Sequence, residues 1–188
     1  MIKDKQKKPE TGIEKRRDIL EKVVNTAYLS IGSNLGDRII NIEKTKNLIL
    51  FHKMYILKSS SFYETPSWPN TKFPKYLNIV LKINTDLSLA NLFLNLKNIE
   101  KLIGRTPGPR NSPRVCDIDI IDYNQKNYSI KIKKDFLIVP HPRMSARNFV
   151  LLPLFQICNH WRHPKTKQKI TELMSKLPLS SITGIKVM

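Results

Sequence analysis

From Thr26 onward, apolar side chains recur with the periods of strands and helices in turn. Ala27-Tyr28-Leu29-Ser30-Ile31 reads as a strand, closed by the turn Gly32-Ser33-Asn34-Leu35-Gly36. A helix is predicted from about Asp37 to Lys53, with Ile39, Ile42, Leu48 and Ile49 among its buried positions. Asp37 near its start suits the helix dipole. Residues 55–64 form a second strand, a Pro-rich loop follows through Thr65-Pro66-Ser67-Trp68-Pro69, and a third strand runs from Tyr76 to Asn84. Leu89, Leu92, Phe93, Leu96, Ile99 and Ile103 stand at helical spacing over 88–103, and Gly104 ends that helix. A fourth strand spans 115–123, Tyr128–Lys133 adds a hairpin strand, and helices are predicted at about 146–156 and 168–176.

The order β-α-β-β-α-β predicts an α+β, ferredoxin-like antiparallel sheet with helices on one face, plus C-terminal additions. That domain occupies 25–188. Residues 1–24 form a basic, polar extension with little apolar periodicity before Ile19, Leu20, Val23 and Val24, and could hold a frayed helix over 13–22. The fold hosts many functions and does not choose among them.

Charge narrows the choice a little. The net charge is +18, of which residues 1–22, with eight Lys/Arg and five Asp/Glu, contribute only +3. The rest is spread over the domain, which suits a polyanionic partner without deciding between RNA and ATP. No apolar run approaches the ~20 residues of a membrane span, and the N-terminus lacks the apolar core of a secretory signal. Two cysteines, Cys116 and Cys158, are too few for a disulfide scaffold; the expected compartment is the reducing cytoplasm.

The chemistry concentrates in Pro113-Arg114-Val115-Cys116-Asp117-Ile118-Asp119. On a strand, Asp117 and Asp119 share a face with Cα atoms ~6–7 Å apart, and Cys116 alternates toward the core. Two carboxylates aimed into one space can share a hard cation, or clamp two. The competing reading is the solvated face of an amphipathic sheet. Arg105, Arg110 and Arg114 lie just upstream in a segment rich in Gly and Pro, either a lid over a polyphosphate or a solvated loop. Glu100, one turn before Gly104, could orient an arginine or substrate, or form an exposed pair with Lys97 or Lys101. The turn 32–36 matches neither phosphate-loop pattern and reads as structural. His141 stands between two prolines, held for contact. Cys158, His160 and His163 are too sparse to make a zinc site. Tyr76 and Phe149 could sandwich a flat heterocycle with Asn78 at its edge, or both could be core.

Seven blocks in order resemble the 6-hydroxymethyl-7,8-dihydropterin pyrophosphokinase family over about 26–160. They are Ala27 to Arg38, Ser60 to Pro66, Tyr76-Leu77-Asn78, Ile99-Glu100, Gly104-Arg105, Pro113 to Ile120, and Val139 to Met144 with Arg147, Phe149 and Pro153-Leu154. The resemblance implies transfer of the terminal diphosphate of ATP to the pterin hydroxymethyl oxygen, releasing AMP. It implies two Mg2+ ions on Asp117 and Asp119, with Arg105 and Arg114 acting beside them. It implies ATP binding by Lys97, Arg110, Arg114, Ile120, His141 and Arg147. Thr65, Pro66, Trp68, Tyr76, Asn78 and Phe149 would bind the pterin, with Glu100 in support. The expected enzyme is a cytoplasmic monomer with small-molecule partners and no membrane or nucleic-acid role. The rivals are an RNA-binding ferredoxin-like module, suggested by the charge, and an inactive relative. Members of the family commonly carry Trp-Gly-Pro-Arg where this chain has Asn111-Ser112-Pro113-Arg114, and the loop 105–114 looks shortened.

Overall fold

The structure, a computed structural model, describes residues 24–67, 70–109 and 111–188; the expected extension up to residue 23, Trp68 and Arg110 lie outside them. The first seven elements are β1 (Asn25–Ser33), α1 (Arg38–Phe51), β2 (Tyr55–Ser59), β3 (Tyr63–Thr65), β4 (Tyr76–Thr85), α2 (Leu89–Leu102) and β5 (Asp117–Tyr123). β1 is central, antiparallel to β4 on one side and to β5 on the other. The far edge of β4 is shared, β2 pairing with one end and β3 with the other. This is the expected ferredoxin-like order.

Local chemistry sets the boundaries. Asp37 caps α1 by accepting the Ile40 N–H at 3.0 Å, and Ser88 caps α2. The expected strand 55–64 is broken instead at Ser60. Its backbone N–H bonds the Val80 carbonyl, and its hydroxyl takes the Val80 N–H at 3.0 Å, so a side chain replaces the ladder there. Ile39, expected in the core, is half exposed: the buried stripe of α1 begins one turn later with Ile42, Thr45 and Ile49.

The two faces of the sheet are covered differently. On one, α1 and α2 pack Ile42, Ile49, Leu92, Leu96 and Ile99 against Leu29, Ile31, Leu77, Leu81, Ile118 and Ile120. On the other lie Tyr28, Val80 and Ile121, covered by the C-terminal helices α3 (Asn148–Ile157) and α4 (Ile170–Met174) through Val150, Leu151, Leu154 and Leu173, and by Trp161 between them. The C-terminal additions therefore form a second layer over part of the sheet. The part they leave open carries Gly32, Tyr76, Asn78, Asp117 and Asp119.

A β-bulge marks the boundary of that cover. Leu29 pairs with Ile120 and Tyr28 with Asp122, leaving Ile121 as the extra residue. Ile121 and Asp122 both turn toward the C-terminal layer. Asp122, fully buried, accepts the Trp161 indole N–H at 2.6 Å and the Gln125 backbone N–H at 2.8 Å.

Several short elements lie beyond sequence expectation. The expected hairpin strand is β6 (Tyr128–Ile132), and its partner β7 (Asp135–Val139) leads into a 3-10 turn, Met144–Ala146. The second C-terminal helix is only five residues long, and α5 (Leu179–Thr183) then precedes a two-residue strand, β8 (Lys186–Val187), which pairs with β3.

Candidate active site

The site is built where β1 ends. Gly32 pairs with Asn78 on β4 and with Asp117 on β5, so one residue of the central strand lies between the two groups. A Cβ at Gly32 would come within 2.9 Å of Asn78 Oδ1 and 3.4 Å of the Tyr76 ring, and glycine alone fits that approach.

Asp117 and Asp119 do share a face, while Cys116, Ile118 and Ile120 point into the opposite core. Each aspartate remains 31% exposed at its side chain. Arg105 Nη1 and Arg114 Nη1 donate to Asp117 Oδ1 at 2.7 and 3.2 Å. Arg147 Nη1 donates to Asp119 Oδ2 at 3.1 Å, and His141 Nε2 lies 3.9 Å from the same oxygen. Among the described residues, no hydrogen bond engages Asp117 Oδ2 or Asp119 Oδ1. Each carboxylate thus turns one oxygen to arginine and leaves the other without a hydrogen bond among the described residues. This donor set fits magnesium, which binds one or two carboxylates and fills its octahedron with water and phosphate oxygen.

Burial works against ionisation of Asp117, and the guanidiniums of Arg105 and Arg114 more than offset it, holding the carboxyl below its ordinary 3.8. For His141, burial lowers the pKa below 6.5; Asp119 opposes that and Arg147 and Arg143 reinforce it. The Arg143 backbone N–H donates to His141 Nδ1 at 3.1 Å, which assigns the ring proton of the neutral form to Nε2. His141 Nε2 thus faces Asp119 Oδ2, with Arg147 Nη1 3.5 Å away.

Glu100 is not the exposed helix pair that its spacing from Lys97 allowed. It is 2% exposed, bonds Arg105, holds Lys97 at 2.9 Å and accepts the Ile118 N–H at 2.7 Å. Burial raises its pKa against the pull of both cations. Its place is to lock α2 to β5 and to aim Arg105 at Asp117. Lys97 is therefore committed to Glu100 on the site's flank.

On the other side of Gly32, Asn78 Nδ2 donates to Thr65 Oγ1 at 3.0 Å and to the Tyr63 carbonyl at 3.4 Å. That fixes the amide orientation and leaves Oδ1 on the open face. Tyr76 is half-buried, its hydroxyl pKa raised chiefly by that burial, and it feels the charges of Arg114, Asp117 and Arg105. Phe149 packs beside the C-terminal core with the Arg147 guanidinium 5.4 Å above its ring. Pro66 approaches Gly184, just after α5. Ile120 is the one described candidate whose side chain the fold turns away: it is 4% exposed, inside the core between sheet and helices.

Sequence reasoning passed over Asn34, in the turn read as structural. It is 1% exposed and bonds both Ser67, in the loop before β4, and Arg114, in the loop before β5. Only the resemblance block that contains it could have pointed there. Among the described residues, Cys158 Sγ and His160 Nε2 lie 3.6 Å apart, while His163 Nδ1 accepts from the backbone N–H groups of Lys165 and Thr166.

Comparison with known proteins bears on the whole arrangement. The family model of 7,8-dihydro-6-hydroxymethylpterin-pyrophosphokinase (HPPK) matches residues 28–159. The chain belongs to the HPPK family. A Bacillus subtilis 2-amino-4-hydroxy-6-hydroxymethyldihydropteridine pyrophosphokinase is 39% identical over 135 residues, covering 71% of this chain and 78% of that protein. An Aquifex aeolicus protein of the same name is 37% identical over 147 residues, covering 78% and 89%. The Dictyostelium discoideum folic acid synthesis protein FOL1 is 39% identical over 155 residues, but these are 82% of this chain and only 23% of that much longer protein. A crystal structure of Plasmodium falciparum HPPK-DHPS, with pterin and p-hydroxybenzoate, superposes with a TM-score of 0.67 at 15% identity. It covers 89% of this chain and 48% of the other, and establishes likeness of fold.

Within this HPPK-family chain, the segment just before the aspartate strand is held by its own backbone bonds. Asn111 sits at φ 65, in the left-handed region that asparagine tolerates. Ser112 and Pro113 then lead to Arg114, whose backbone N–H and carbonyl are both held by Asn34.

Proposed function

We propose that this chain is a magnesium-dependent pyrophosphokinase of folate biosynthesis, transferring diphosphate from ATP to 6-hydroxymethyl-7,8-dihydropterin and releasing AMP. The observation that carries the proposal is the pair Asp117 and Asp119, each with one oxygen turned to arginine and one open. Both sit one strand away from Tyr76 and Asn78 on β4.

In the reaction, the pterin hydroxymethyl oxygen attacks the β-phosphorus of ATP. The bond from that phosphorus to the α,β-bridging oxygen breaks, AMP leaves with the electron pair, and the hydroxyl proton is lost to solvent. Asp117 and Asp119 would hold magnesium, which supplies charge neutralisation on the phosphates when bound. Arg105, Arg114 and Arg147 would transfer their hydrogen bonds from carboxylate to phosphate oxygen, which the guanidinium fork also matches. His141 adds its Nε2 proton to the same anionic cluster. Tyr76 and Phe149 supply aromatic faces for the pterin, and Asn78 Oδ1, its orientation fixed by Thr65, accepts from the ring edge. Catalysis is then positioning and charge stabilisation, with no side-chain nucleophile required.

The cytoplasm is the compartment that suits two buried free thiols, Cys116 and Cys158, and we propose a monomer with small-molecule partners only. An RNA-binding role is opposed by the fold, since α3 covers part of the sheet face that such modules use.

The test is direct. Incubation with ATP, Mg2+ and the dihydropterin is expected to yield AMP. Asp117→Ala and Asp119→Ala should each cut turnover by at least about a thousandfold while the circular dichroism spectrum stays unchanged. Near-normal turnover in both variants would remove the metal-site assignment.

A further inference from the structure

We infer that Asn34 is the positioning residue that couples the two substrate subsites, resting on the reaction proposed above. Its place follows from topology. Asn34 comes one residue after the end of β1, the strand flanked by β4 with Tyr76 and Asn78 and by β5 with Asp117 and Asp119. A side chain there stands between the loop before β5 and the loop before β4.

Asn34 bonds both. Toward the arginine loop, its backbone N–H donates to the Arg114 carbonyl at 3.1 Å and its Oδ1 accepts the Arg114 N–H at 2.8 Å. The two bonds fix the Arg114 backbone as a ladder pair would, three residues before Asp117. Toward the opposite loop, Asn34 Nδ2 donates to Ser67 Oγ at 3.2 Å and to the Pro74 carbonyl at 3.2 Å. Ser67 follows Thr65-Pro66, and Pro74 precedes Tyr76 by two residues. One amide therefore joins the start of Arg114 to both ends of the 65–76 loop.

The side chain is 1% exposed and Ser67 is 3% exposed, so these bonds are shielded from water. Both amide protons and the amide oxygen are committed, so no other residue type of this size reproduces the set. Aspartate lacks the two donors, and leucine lacks everything. If nucleotide draws Arg114 off Asp117 onto phosphate, the shift of its backbone is felt at Ser67 and Pro74 through one rigid side chain. Reciprocity requires that pterin binding strengthen nucleotide binding by the same factor. Asn34 touches neither substrate in this account; it sets the order of the loops that do.

The experiment measures coupling rather than rate. The Kd of 6-hydroxymethylpterin is determined by fluorescence, with and without Mg2+ and a non-hydrolysable α,β-methylene ATP. In the wild-type protein the nucleotide is expected to tighten pterin binding by about tenfold or more, within the usual range of coupled sites. Asn34→Ala should reduce that ratio to within about threefold, leaving the Kd for Mg-nucleotide alone within about threefold of wild type. Ser67→Ala, which removes one hydroxyl from the pterin-side arm, should reduce the ratio partway. It keeps the question answerable if Asn34→Ala fails to fold. A purely structural role would weaken both ligands alike or lower Tm with the ratio intact, and either result overturns the inference. A wild-type protein that binds both ligands and makes AMP, yet shows no coupling, overturns it as well. A wild-type protein that makes no AMP instead overturns the reaction on which the inference rests.

Discussion

Two residues that never face the reacting atoms decide how the site works. Glu100 is buried under three donors, and its removal would free Arg105 and leave the Ile118 N–H without its acceptor. Glu100→Gln keeps an acceptor oxygen but gives up the charge that holds Arg105 and Lys97. Its turnover is expected to fall about 10–100-fold, the range seen when a supporting residue behind a site is lost. Nucleotide affinity should change much less; a variant with normal turnover would refute the positioning role. Gly32 acts by absence. Gly32→Ala puts a methyl 2.9 Å from Asn78 Oδ1 and forces that amide out of line. The pterin KM should rise about tenfold, or ~1.4 kcal/mol of binding, with the ATP KM nearly unchanged. Equal effects on both substrates would contradict it.

At the scale of elements, the C-terminal layer is held to the sheet by Trp161 and Asp122. The indole fills the second core, and its N–H reaches a buried carboxylate at 2.6 Å. Trp161→Phe keeps most of the packing, loses that bond, and should cost about 1.5–3 kcal/mol, as for other hydrogen bonds to charged groups. Chemical denaturation measures the loss. Burial raises the Asp122 pKa above 3.8 despite bonds from Trp161 and Gln125. Below 3.8 the folded and unfolded chains both carry the proton. As pH rises, the unfolded chain ionises first, so the contribution of Asp122 to stability is largest in acid and is lost as pH climbs through its folded value. The Tm difference between the wild-type protein and Asp122→Asn should therefore move against wild type from pH about 4 upward. A difference constant across that range would show that Asp122 titrates as it does in the unfolded chain.

The elements also show what a one-dimensional pattern can carry. Helix α2 was legible because Leu89, Leu92, Leu96 and Ile99 face one core at a regular period and Gly104 follows its end. β5 was legible because Cys116, Ile118 and Ile120 alternate with the aspartates. The break at Ser60 was not, since it depends on a hydroxyl meeting Val80 from another strand. β8 has two residues and exists only by pairing with β3. Ile39 misled because a helical period says which side chains align, not how far the sheet beneath them extends. The role of Asn34 was hidden for the same reason: its four bonds reach 33, 40 and 80 residues along the chain.

For the molecule as a whole, the ferredoxin-like sheet does one thing with both faces. Helices α1 and α2, with the β6–β7 hairpin, pack on the first face, and the C-terminal layer covers part of the second. The remaining part carries Asp117 and Asp119 with Arg105, Arg114, Arg147 and His141 about them, and Tyr76 and Asn78 across β1. The charge of +18, ambiguous in the sequence, is put to local use there: Arg105, Arg114 and Arg147 converge on two carboxylates that belong to the same strand. The measurement that bears most directly on this account is AMP formation from ATP and 6-hydroxymethyl-7,8-dihydropterin, titrated with Mg2+. AMP should appear in equal amount with the pterin diphosphate, rise with Mg2+, and vanish in Asp117→Ala. AMP formation independent of Mg2+, or undiminished in that variant, would contradict it.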